Sequence, residues 1–420
     1  MGYLKDKKNF INQAVITLGG RGSRLSTISN GIPKPLIPIE GKSTLERSIS
    51  VLSRDGIDNF IFLTCYKSEL FENFKIFLEE KYSSSILIFK EENPRGEAGS
   101  LIDILDKLHE QFIFLNGDII FDIDIGRLCE FHRNNDSEIT IVTHLTNHSY
   151  DSDCIIESPN GSIFDFKFKT EKSNDDSFYL GNAGIAIVNK NNIKNSLFDD
   201  KNKLISFFKD IAIKNHLKGS RVFSYNTSEY LKDMGTPKRF SEVQKDISNN
   251  VVEKFSYKKK QKVLFIDRDN TILRCLNNKY INTSKDIKLL SRRIKKIALI
   301  ARDYNFVLII SNQPQVSRGD ISCQDVINLN GQIINLCLKE SLKISGFYFC
   351  PHHPHAGFTD EIKAFKMLCF CRKPMPGMFL EAAFKRNIDF KNSIMIGDSW
   401  RDEEASKSLN MKFLNITSLD

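Results

Sequence analysis

The sequence predicts an α/β protein with two domains, each built on a mainly parallel sheet. The first observation is length, because 420 residues suffice for two or three domains with a hydrophobic core each. The second is a set of short apolar runs typical of buried strands, among them Ala14–Leu18, Val263–Ile266 and Phe306–Ile310. The third is that these runs end in glycines or polar residues, where α/β sheets bind their ligands.

The composition limits the classes of function. Hydrophobic residues make up 41% and charged residues 27%, as in ordinary globular proteins, and no stretch approaches the 18 apolar residues of a membrane span. The start of the chain also lacks the apolar region of a signal peptide, so we expect a cytoplasmic protein with no membrane partner. The net charge of +8 is scattered, apart from Lys258–Lys262, and favours sugar phosphates and nucleotides over nucleic acid as partners.

The first strand runs into a turn suited to a nucleoside triphosphate. This turn contains Gly19, Gly20, Gly22, Ser23 and Arg24. Glycines let backbone N–H groups approach phosphates closely, and Arg24 adds a charged donor. Ten residues after Arg24, Pro33 and Pro35 stiffen the backbone around Lys34, so that its ammonium can be held in a fixed place.

Together these residues resemble the signature of the sugar-1-phosphate nucleotidylyltransferases: a GG-x-G-[ST]-R-L turn, then PKP, then GK. Four further features resemble the same family in the same order. They are the base-and-ribose loop at Glu92–Ser100 with Gly96, the metal aspartate Asp118, the sugar-phosphate residues Glu171, Lys172, Asn182 and Gly184, and the D-x-G-T-P element with Asp233. The resemblance covers roughly residues 10–245.

The resemblance implies a Rossmann-like sheet with helices on both faces, and attack by a sugar-1-phosphate oxygen on the α-phosphorus of a nucleoside triphosphate. It implies that Arg24 binds the leaving phosphates, Lys34 the α-phosphoryl group and Lys172 the sugar phosphate. Asp118 and Asp233 would bind Mg²⁺. For Lys172, a surface lysine in a polar loop remains the alternative.

A pair of aspartates in the segment FDIDI stands close to the metal motif. We interpret Asp122 and Asp124 as solvent-facing positions of an alternating segment and not as a second catalytic pair.

In the second half, catalytic side chains again follow predicted strands. Asp267 and Asp269 follow Val263–Ile266, and a carboxylate there can attack a phosphoryl group once Mg²⁺ has neutralised the local charge. Ser311, Asn312 and Gln313 follow the next strand, where the serine hydroxyl can donate to a phosphoryl oxygen. Lys373 and Asp398 come later, in CRKP and GD.

This order resembles the four motifs of the haloacid dehalogenase (HAD) superfamily of phosphatases. The resemblance implies that Asp267 is the nucleophile, that Asp269 is the general acid and base, and that Ser311 and Lys373 bind the phosphoryl oxygens. Asp267, the carbonyl of Asp269, and Asp398 would bind Mg²⁺.

The sequence also predicts roles for one residue near each of the first and last motifs. Asp402 is a plausible outer-sphere partner of the metal. Asn270 replaces the usual glycine of D-x-D-G-T, and asparagine tolerates the left-handed backbone that this turn needs.

A closer resemblance is to the D-glycero-D-manno-heptose 1,7-bisphosphate phosphatases. Ser311–Gly319, SNQPQVSRG, resembles their TNQSGIARG, with Pro314 and Gln315 in place of serine and glycine. This resemblance implies substrate contacts from Asn312, Gln313, Arg318 and Arg372. Histidinol-phosphate phosphatases, which share the loop described next, are the alternative within the superfamily.

Three of the nine cysteines lie near three histidines, and they resemble the zinc loop of these phosphatases. The implied ligands are Cys350, His352, Cys369 and Cys371. Three thiolates and an imidazole form a closed tetrahedral site, which is structural and not catalytic. His353 and His355 are alternatives to His352.

We therefore predict a nucleotidylyltransferase domain at 10–248, a linker at 249–261, and a HAD phosphatase domain at 262–420 with a zinc loop and little or no cap. The two would act in sequence, with Mg²⁺ in both domains: phosphate release from heptose 1,7-bisphosphate, then nucleotidyl transfer, with GTP as the leading donor. The alternative is one active half with the other regulatory or scaffolding. The base, the sugar and a homo-oligomeric state remain open.

Overall fold

The computed structural model describes residues 11–20, 23–29, 31–146, 153–157, 161–168, 179–196, 203–275 and 280–420. They form two compact units, and the boundary between their main parts lies between Ser256 and Tyr257. The chain has a mixed α/β fold, which confirms the predicted fold class. The domain bounds derived from the sequence remain predictions.

The first unit contains thirteen described strands. They are β1 (Gln13–Thr17), β2 (Pro38–Ile39), β3 (Lys42–Ser43), β4 (Asn59–Thr64), β5 (Ser85–Lys90), β6 (Gln111–Asn116), β7 (Ile119–Asp122), β8 (Ile139–Thr146), β9 (Cys154–Glu157), β10 (Ile163–Lys167), β11 (Tyr179–Asn189), β12 (Val222–Asn226) and β13 (Tyr230–Asp233).

Its described α-helices are α1 (Ser26–Ser29), α2 (Thr44–Arg54), α3 (Ser68–Tyr82), α4 (Ile125–Asn134), α5 (Lys190–Lys194), α6 (Lys214–Leu217), α7 (Pro237–Ser248) and α8 (Val251–Lys254). A π-helical segment, Phe207–Ile213, leads into α6.

The main sheet runs in the order β10-β9-β11-β6-β1-β4-β5, and β8 joins it by pairing with β11 and β12. Strands β6, β1, β4 and β5 are parallel, whereas β11 is antiparallel to β6. Side chains of β1 alternate between two cores: Ala14 and Ile16 belong to one cluster and Val15 to the other. A strand buried on both faces explains why this segment of sequence is continuously apolar.

A separate two-stranded sheet positions the two aspartates of the first unit that the sequence predicts to bind a metal. Strands β7 and β13 are antiparallel, and Asp233 faces Ile119 in their register. Asp118, which directly precedes β7, therefore lies next to Asp233, although 115 positions separate them in the sequence.

The second unit has a five-stranded parallel sheet in the order β16-β15-β14-β17-β18. Its strands are β14 (Val263–Ile266), β15 (Phe306–Asn312), β16 (Gly346–Cys350), β17 (Ile394–Gly397) and β18 (Lys412–Asn415). Its α-helices are α9 (Ser291–Ile300), α10 (Gln315–Arg318), α11 (Cys323–Lys339), α12 (Gly377–Arg386) and α13 (Trp400–Ser408).

Both faces of this sheet are also covered. Leu264 and Ile266 pack in a core with Ile297 of α9, and Phe265 contacts Phe379 of α12 on the other face, with 4.9 Å between ring centroids. Strand β14 lies at the centre of the sheet, so Asp267 emerges at the middle of its carboxyl edge.

The interpretation of Asp122 as solvent-facing is wrong. Asp122 is buried, and its Oδ1 accepts a hydrogen bond from Arg54 Nη1 at 2.6 Å. Asp124 caps α4, since its Oδ1 accepts from the N–H of Arg127 at 3.1 Å. Both aspartates have structural partners that alternation alone did not indicate.

Candidate active sites

The glycine turn of the first unit directly follows β1. A Cβ atom on Gly19 would lie 3.4 Å from Cys65 Cβ, whereas one on Gly20 would meet nothing within 4 Å. The backbone of Ser23–Leu25 forms a 3-10 turn, in which Arg24 is exposed. Gly22 lies outside the described residues, as do Glu171 and Lys172 of the predicted sugar-phosphate site.

Lys34 is held as the flanking prolines predict. It begins a 3-10 turn whose N-cap is Pro33, and only 8% of the residue is exposed. Its Nζ donates to Asp118 Oδ2 at 2.5 Å. The structure thus joins a predicted catalytic lysine to a predicted metal ligand.

Asp233 lies beside Asp118 and has a cation of its own. The N–H of Met234 donates to the Asp118 carbonyl at 3.2 Å. Arg239 Nη1 contacts the two carboxylate oxygens of Asp233 at 3.1 and 3.0 Å. Sequence reasoning missed Arg239, whose signal was its place in the first turn of the helix that follows D-x-G-T-P.

The predicted base-and-ribose loop is fixed by backbone contacts at Gly96. This glycine has φ +82°, and a Cβ there would lie 2.5 Å from the Ile205 carbonyl oxygen. Glu97, which sequence reasoning missed, accepts hydrogen bonds from the N–H of Phe207 at 2.8 Å and from Asn116 Nδ2 at 3.3 Å. Glu97 therefore ties this loop to the strand that precedes Asp118.

The predicted sugar-binding turn packs against the same asparagine. Gly184 has φ +70°, and its N–H donates to Asn182 Oδ1 at 3.0 Å. A Cβ on Gly184 would lie 2.8 Å from Asn116 Nδ2. The base loop, the sugar turn and the metal motif thus converge on Asn116.

In the second unit, a buried lysine lies between two buried aspartates. Lys373 Nζ donates to Asp267 Oδ1 at 2.6 Å, to Asp402 Oδ1 at 2.5 Å and to the Ile310 carbonyl at 2.7 Å. Burial lowers the pKa of Lys373, but the two carboxylates outweigh it and hold that pKa above its ordinary value. Burial also raises the pKa of the Asp267 carboxyl, and the Lys373 ammonium opposes this rise.

Asn312 positions this lysine. Its Nδ2 donates to the Lys373 carbonyl at 3.0 Å, and its Oδ1 accepts from the Lys373 N–H at 2.9 Å. The amide that was predicted to contact substrate thus binds the backbone of Lys373, a predicted catalytic residue.

The carboxylate of Asp269 is held by two side chains. Arg268, which is fully buried, donates from Nε at 2.9 Å and from Nη2 at 3.0 Å. Gln313 Nε2 donates to Asp269 Oδ2 at 3.1 Å and to Ser311 Oγ at 2.7 Å. Sequence reasoning missed Arg268. Asn270 has φ +58°, which confirms the predicted left-handed turn.

Three carboxylates of this site could hold a cation together. Oxygens of Asp267, Asp398 and Asp402 lie within 4.8 Å of one another. Both oxygens of Asp402 have other partners, because Oδ1 accepts from Lys373 and Oδ2 from the Ser399 hydroxyl at 2.7 Å. These contacts suit the predicted outer-sphere role of Asp402, and Asp267 and Asp398 remain the candidates for direct ligands.

The predicted Cys and His ligands form a second group that could hold a metal. The Sγ and Nδ1 atoms of Cys350, His352, Cys369 and Cys371 all lie within 4.8 Å of one another. His353 Nδ1 instead accepts from the N–H of His355 at 3.2 Å, so His352 is the histidine in the group. The thiol of Cys350 lowers the pKa of Cys371 by hydrogen bonding, which favours a thiolate there.

The two predicted arginine contacts of the substrate have different surroundings. Arg372 Nη1 donates to the His352 carbonyl at 3.2 Å. The guanidinium of Arg318 lies 5.0 Å from the ring centroid of Tyr280 and 4.5 Å from that of Phe358. Aromatic packing restricts the orientation of Arg318.

The sequence pattern described as nucleotidyl transferase matches residues 13–250, more than half of the chain, and one described as HAD-hydrolase-like matches residues 370–418. The chain therefore belongs to the nucleotidyl transferase family, with a HAD-like part at its C-terminal end. Among the described residues, no helix is both long and apolar enough to cross a bilayer.

Two curated relatives match the first part. The mannose-1-phosphate guanylyltransferase of Mycobacterium tuberculosis is 26% identical over 54% of this chain and 62% of its own length. This chain thus spans less than two thirds of that relative. The D-glycero-alpha-D-manno-heptose 1-phosphate guanylyltransferase of Aneurinibacillus thermoaerophilus is 26% identical over 57% of this chain and 100% of its own length.

The second part matches the D-glycero-beta-D-manno-heptose-1,7-bisphosphate 7-phosphatase of Vibrio cholerae. The identity is 32% over 34% of this chain and 75% of that relative. This part of the chain belongs to the same phosphatase family, so the chain is a fusion of a nucleotidyl transferase and a HAD-type phosphatase.

Proposed function

We propose that this chain is a bifunctional enzyme of nucleotide-activated heptose synthesis. Its second part hydrolyses the 7-phosphate of D-glycero-D-manno-heptose 1,7-bisphosphate, and its first part transfers a nucleotidyl group, with GTP as the leading donor, to the heptose 1-phosphate. The observation that carries the proposal is the presence of both polar centres in one chain: Lys373 between Asp267 and Asp402, and Lys34 bonded to Asp118 beside Asp233. Each part has a relative named for one of these two reactions.

In the phosphatase reaction, Asp267 attacks the phosphorus, and the bond from phosphorus to the sugar oxygen breaks. Asp269 gives a proton to that oxygen and later takes one from the water that attacks the aspartyl-phosphate and releases phosphate. Lys373 and Ser311 bind the phosphoryl oxygens. Asp267, Asp398 and the Asp269 carbonyl would hold Mg²⁺, whose charge would let a carboxylate approach a phosphate.

In the nucleotidyl transfer, the protein provides no nucleophile. An oxygen of the sugar phosphate attacks the α-phosphorus, and the bond to pyrophosphate breaks. Lys34 stabilises the charge on the α-phosphoryl group, Arg24 binds the leaving phosphates and Lys172 binds the sugar phosphate. Asp118 and Asp233 would hold Mg²⁺, which would neutralise the charge of the phosphates.

The Cys and His group holds Zn²⁺ in a structural role. Three sulfurs and one imidazole nitrogen at mutual contact distance are a tetrahedral zinc donor set. The group directly precedes Arg372 and Lys373, so the metal orders the loop that carries the catalytic lysine.

The anomer of the shared intermediate decides whether the two reactions are consecutive. The relative of the second part is named for a beta bisphosphate, and that of the first part for an alpha 1-phosphate. The two sites act in sequence only if they accept the same anomer.

The test is a one-pot reaction followed by phosphorus NMR. Purified protein with Mg²⁺ receives the alpha or the beta heptose 1,7-bisphosphate and each nucleoside triphosphate in turn. We expect free phosphate, pyrophosphate and a diphosphate-linked heptose with GTP and with one anomer. Histidinol phosphate serves as the competing phosphatase substrate.

Two variants make the assignment of the sites testable. Asp267→Asn should stop phosphate release but leave nucleotidyl transfer to added heptose 1-phosphate unchanged, and Lys34→Ala should do the reverse. No release of phosphate from either anomer by the wild type, or no nucleotide sugar with any base, would refute the corresponding half of the proposal.

A further inference from the structure

Gln315 is a buried amide at a position where the resembling phosphatases have glycine. It is the first residue of α10, and none of its surface is exposed. Its Nε2 donates to Gln313 Oε1 at 2.6 Å. Through Gln313, this side chain is linked to Ser311 and Asp269, which are predicted to be catalytic.

Gln315 is not explained by stability alone. Its Oε1 is buried and has no hydrogen-bond partner among the described residues. The free-energy cost of an unsatisfied buried acceptor is comparable to or larger than the net gain from the one hydrogen bond that Gln315 makes.

The hydrogen bond from Gln315 sets the orientation of the next amide. Because Gln313 Oε1 accepts from Gln315, the NH₂ group of Gln313 faces the active site. Its two N–H groups donate to Ser311 Oγ at 2.7 Å and to Asp269 Oδ2 at 3.1 Å. An amide turned by 180° would instead place an oxygen against the Asp269 carboxylate.

The direction of these bonds also assigns the proton of Ser311. Since Ser311 Oγ accepts from Gln313, its own O–H points elsewhere and is available to a phosphoryl oxygen of the substrate. The same Gln313 amide and the Arg268 guanidinium both donate to Asp269 Oδ2, which fixes the position of this oxygen.

We propose that Gln315 is a positioning residue of the phosphatase site: it locks the Gln313 amide so that Ser311 donates to the phosphoryl group and Asp269 is aligned with the leaving oxygen. This inference rests on the proposed phosphatase function. Glycine, which the resembling phosphatases have at this position, has no side chain and cannot donate this hydrogen bond to Gln313.

The test compares Gln315→Met and Gln315→Glu with the control Gln324→Met. Methionine has a similar length but no donor, and an ionised glutamate can only accept, so it should turn the Gln313 amide over. Gln324 is exposed on α11 and bonds to Asn328 of the same helix at 3.1 Å. Steady-state rates are measured on heptose 1,7-bisphosphate and on p-nitrophenyl phosphate, whose leaving group needs no proton.

We expect Gln315→Met to lower kcat on the heptose bisphosphate about tenfold or more, as for other partners that orient catalytic groups, with little change in KM. The loss on p-nitrophenyl phosphate should be smaller, because Asp269 need not protonate that leaving group. Gln315→Glu should lose more than Gln315→Met. The thermal midpoint of Gln315→Met should stay close to that of the wild type, because the variant removes the unsatisfied Oε1 of Gln315 but also takes away the donor to Gln313 Oε1.

Two results would overturn the inference and leave the proposed function standing. One is an active wild type with Gln315→Met as fast as Gln324→Met on both substrates. The other is an equal loss on both substrates together with a lower thermal midpoint, which would show a purely structural role. A wild type that hydrolyses neither substrate would refute the phosphatase function itself, and the inference with it.

Discussion

At the scale of single residues, the phosphatase site depends on one buried ammonium. Replacing Lys373 by methionine leaves the buried carboxylates of Asp267 and Asp402 without their shared counter-charge. We expect phosphatase activity to be lost and the free energy of unfolding to fall by about 3–5 kcal/mol near pH 7. The loss should shrink as the pH falls, because protonation of a carboxyl relieves the repulsion.

The only tryptophan of the sequence, Trp400, stands two residues before Asp402, so its fluorescence during denaturation reports on this unit. The control is Lys407→Met, which removes an exposed lysine that pairs with Glu403 and Glu404 and should leave the stability nearly unchanged. Equal stability of the two variants would show that the ammonium does not hold this site together.

A second single-residue prediction concerns Gly96 of the nucleotide loop. Gly96→Ala combines an unfavourable positive φ, worth about 1–2 kcal/mol, with a Cβ placed 2.5 Å from the Ile205 carbonyl oxygen. The loop must therefore shift, and we expect a several-fold rise in KM for the nucleoside triphosphate. Gly219→Ala is the matched control, since Gly219 has φ +91° with nothing within 4 Å of its Cβ position. If both variants keep the wild-type KM, Gly96 does not shape the nucleotide site.

At the scale of elements, helix α4 carries a histidine that should make the first unit sensitive to acid. His132 is 2% exposed, and its Nδ1 lies 2.8 Å from Thr140 Oγ1. Burial lowers its pKa to about 4. Since an unfolded histidine titrates near 6.5, the unfolded chain binds a proton between these two values that the folded chain does not. Stability is therefore complete above about pH 6.5 and falls by about 3 kcal/mol as the pH approaches 4.

The measurement is the free energy of unfolding of the full chain at pH 7 and at pH 4.5, followed by circular dichroism. His132→Asn should flatten the difference between the two pH values. His109→Asn should not, because His109 is exposed and lies two residues before β6. A pH dependence unchanged in His132→Asn would contradict the prediction.

The loop between β16 and α12 gives a prediction about metal removal. Cys369→Ser removes one ligand of the Cys and His group, so we expect loss of bound zinc and at least a tenfold loss of phosphatase activity, with nucleotidyl transfer unchanged. Zinc content is measured by elemental analysis, and activity with excess Mg²⁺. Cys323→Ser is the control, because Cys323 begins α11 and lies outside the group. Full activity of zinc-free Cys369→Ser would exclude an ordering role for the metal.

The elements also show what the sequence could and could not predict. Asp267, Ser311 and Asp398 were predictable because each follows an apolar run, and the ends of parallel strands meet at one edge of a sheet. The pairing of Arg54 with Asp122 was not, because the partners are 68 positions apart and only the packed fold brings them together.

The same limit applies around the catalytic groups. Neither periodicity nor motif spacing predicts the hydrogen-bond partners of individual side chains. The contacts of Arg239, Glu97 and Gln315 therefore became visible only in the structure. Sequence patterns thus predicted where the polar side chains lie. Which of them donates a hydrogen bond and which accepts it followed only from the three-dimensional packing.

At the scale of the whole molecule, each unit has its own sheet, cores and polar centre, so we predict that the two reactions are chemically independent. A mixture of Asp267→Asn and Lys34→Ala should then convert the heptose bisphosphate into nucleotide sugar, although neither variant does so alone. The mixture should show a lag that the wild type lacks or shows more briefly, because the intermediate must diffuse from one chain to another.

Phosphorus NMR of the mixture, with added heptose 1-phosphate as the positive control for transfer, measures both the lag and the final yield. Raising the concentration of both variants should shorten the lag, since the intermediate then accumulates faster. If the wild type makes nucleotide sugar from the same anomer of the bisphosphate, two folded variants that each carry out their remaining reaction but make no nucleotide sugar when mixed would refute independence. That result would mean that the intermediate passes between the two sites of one chain without reaching solution.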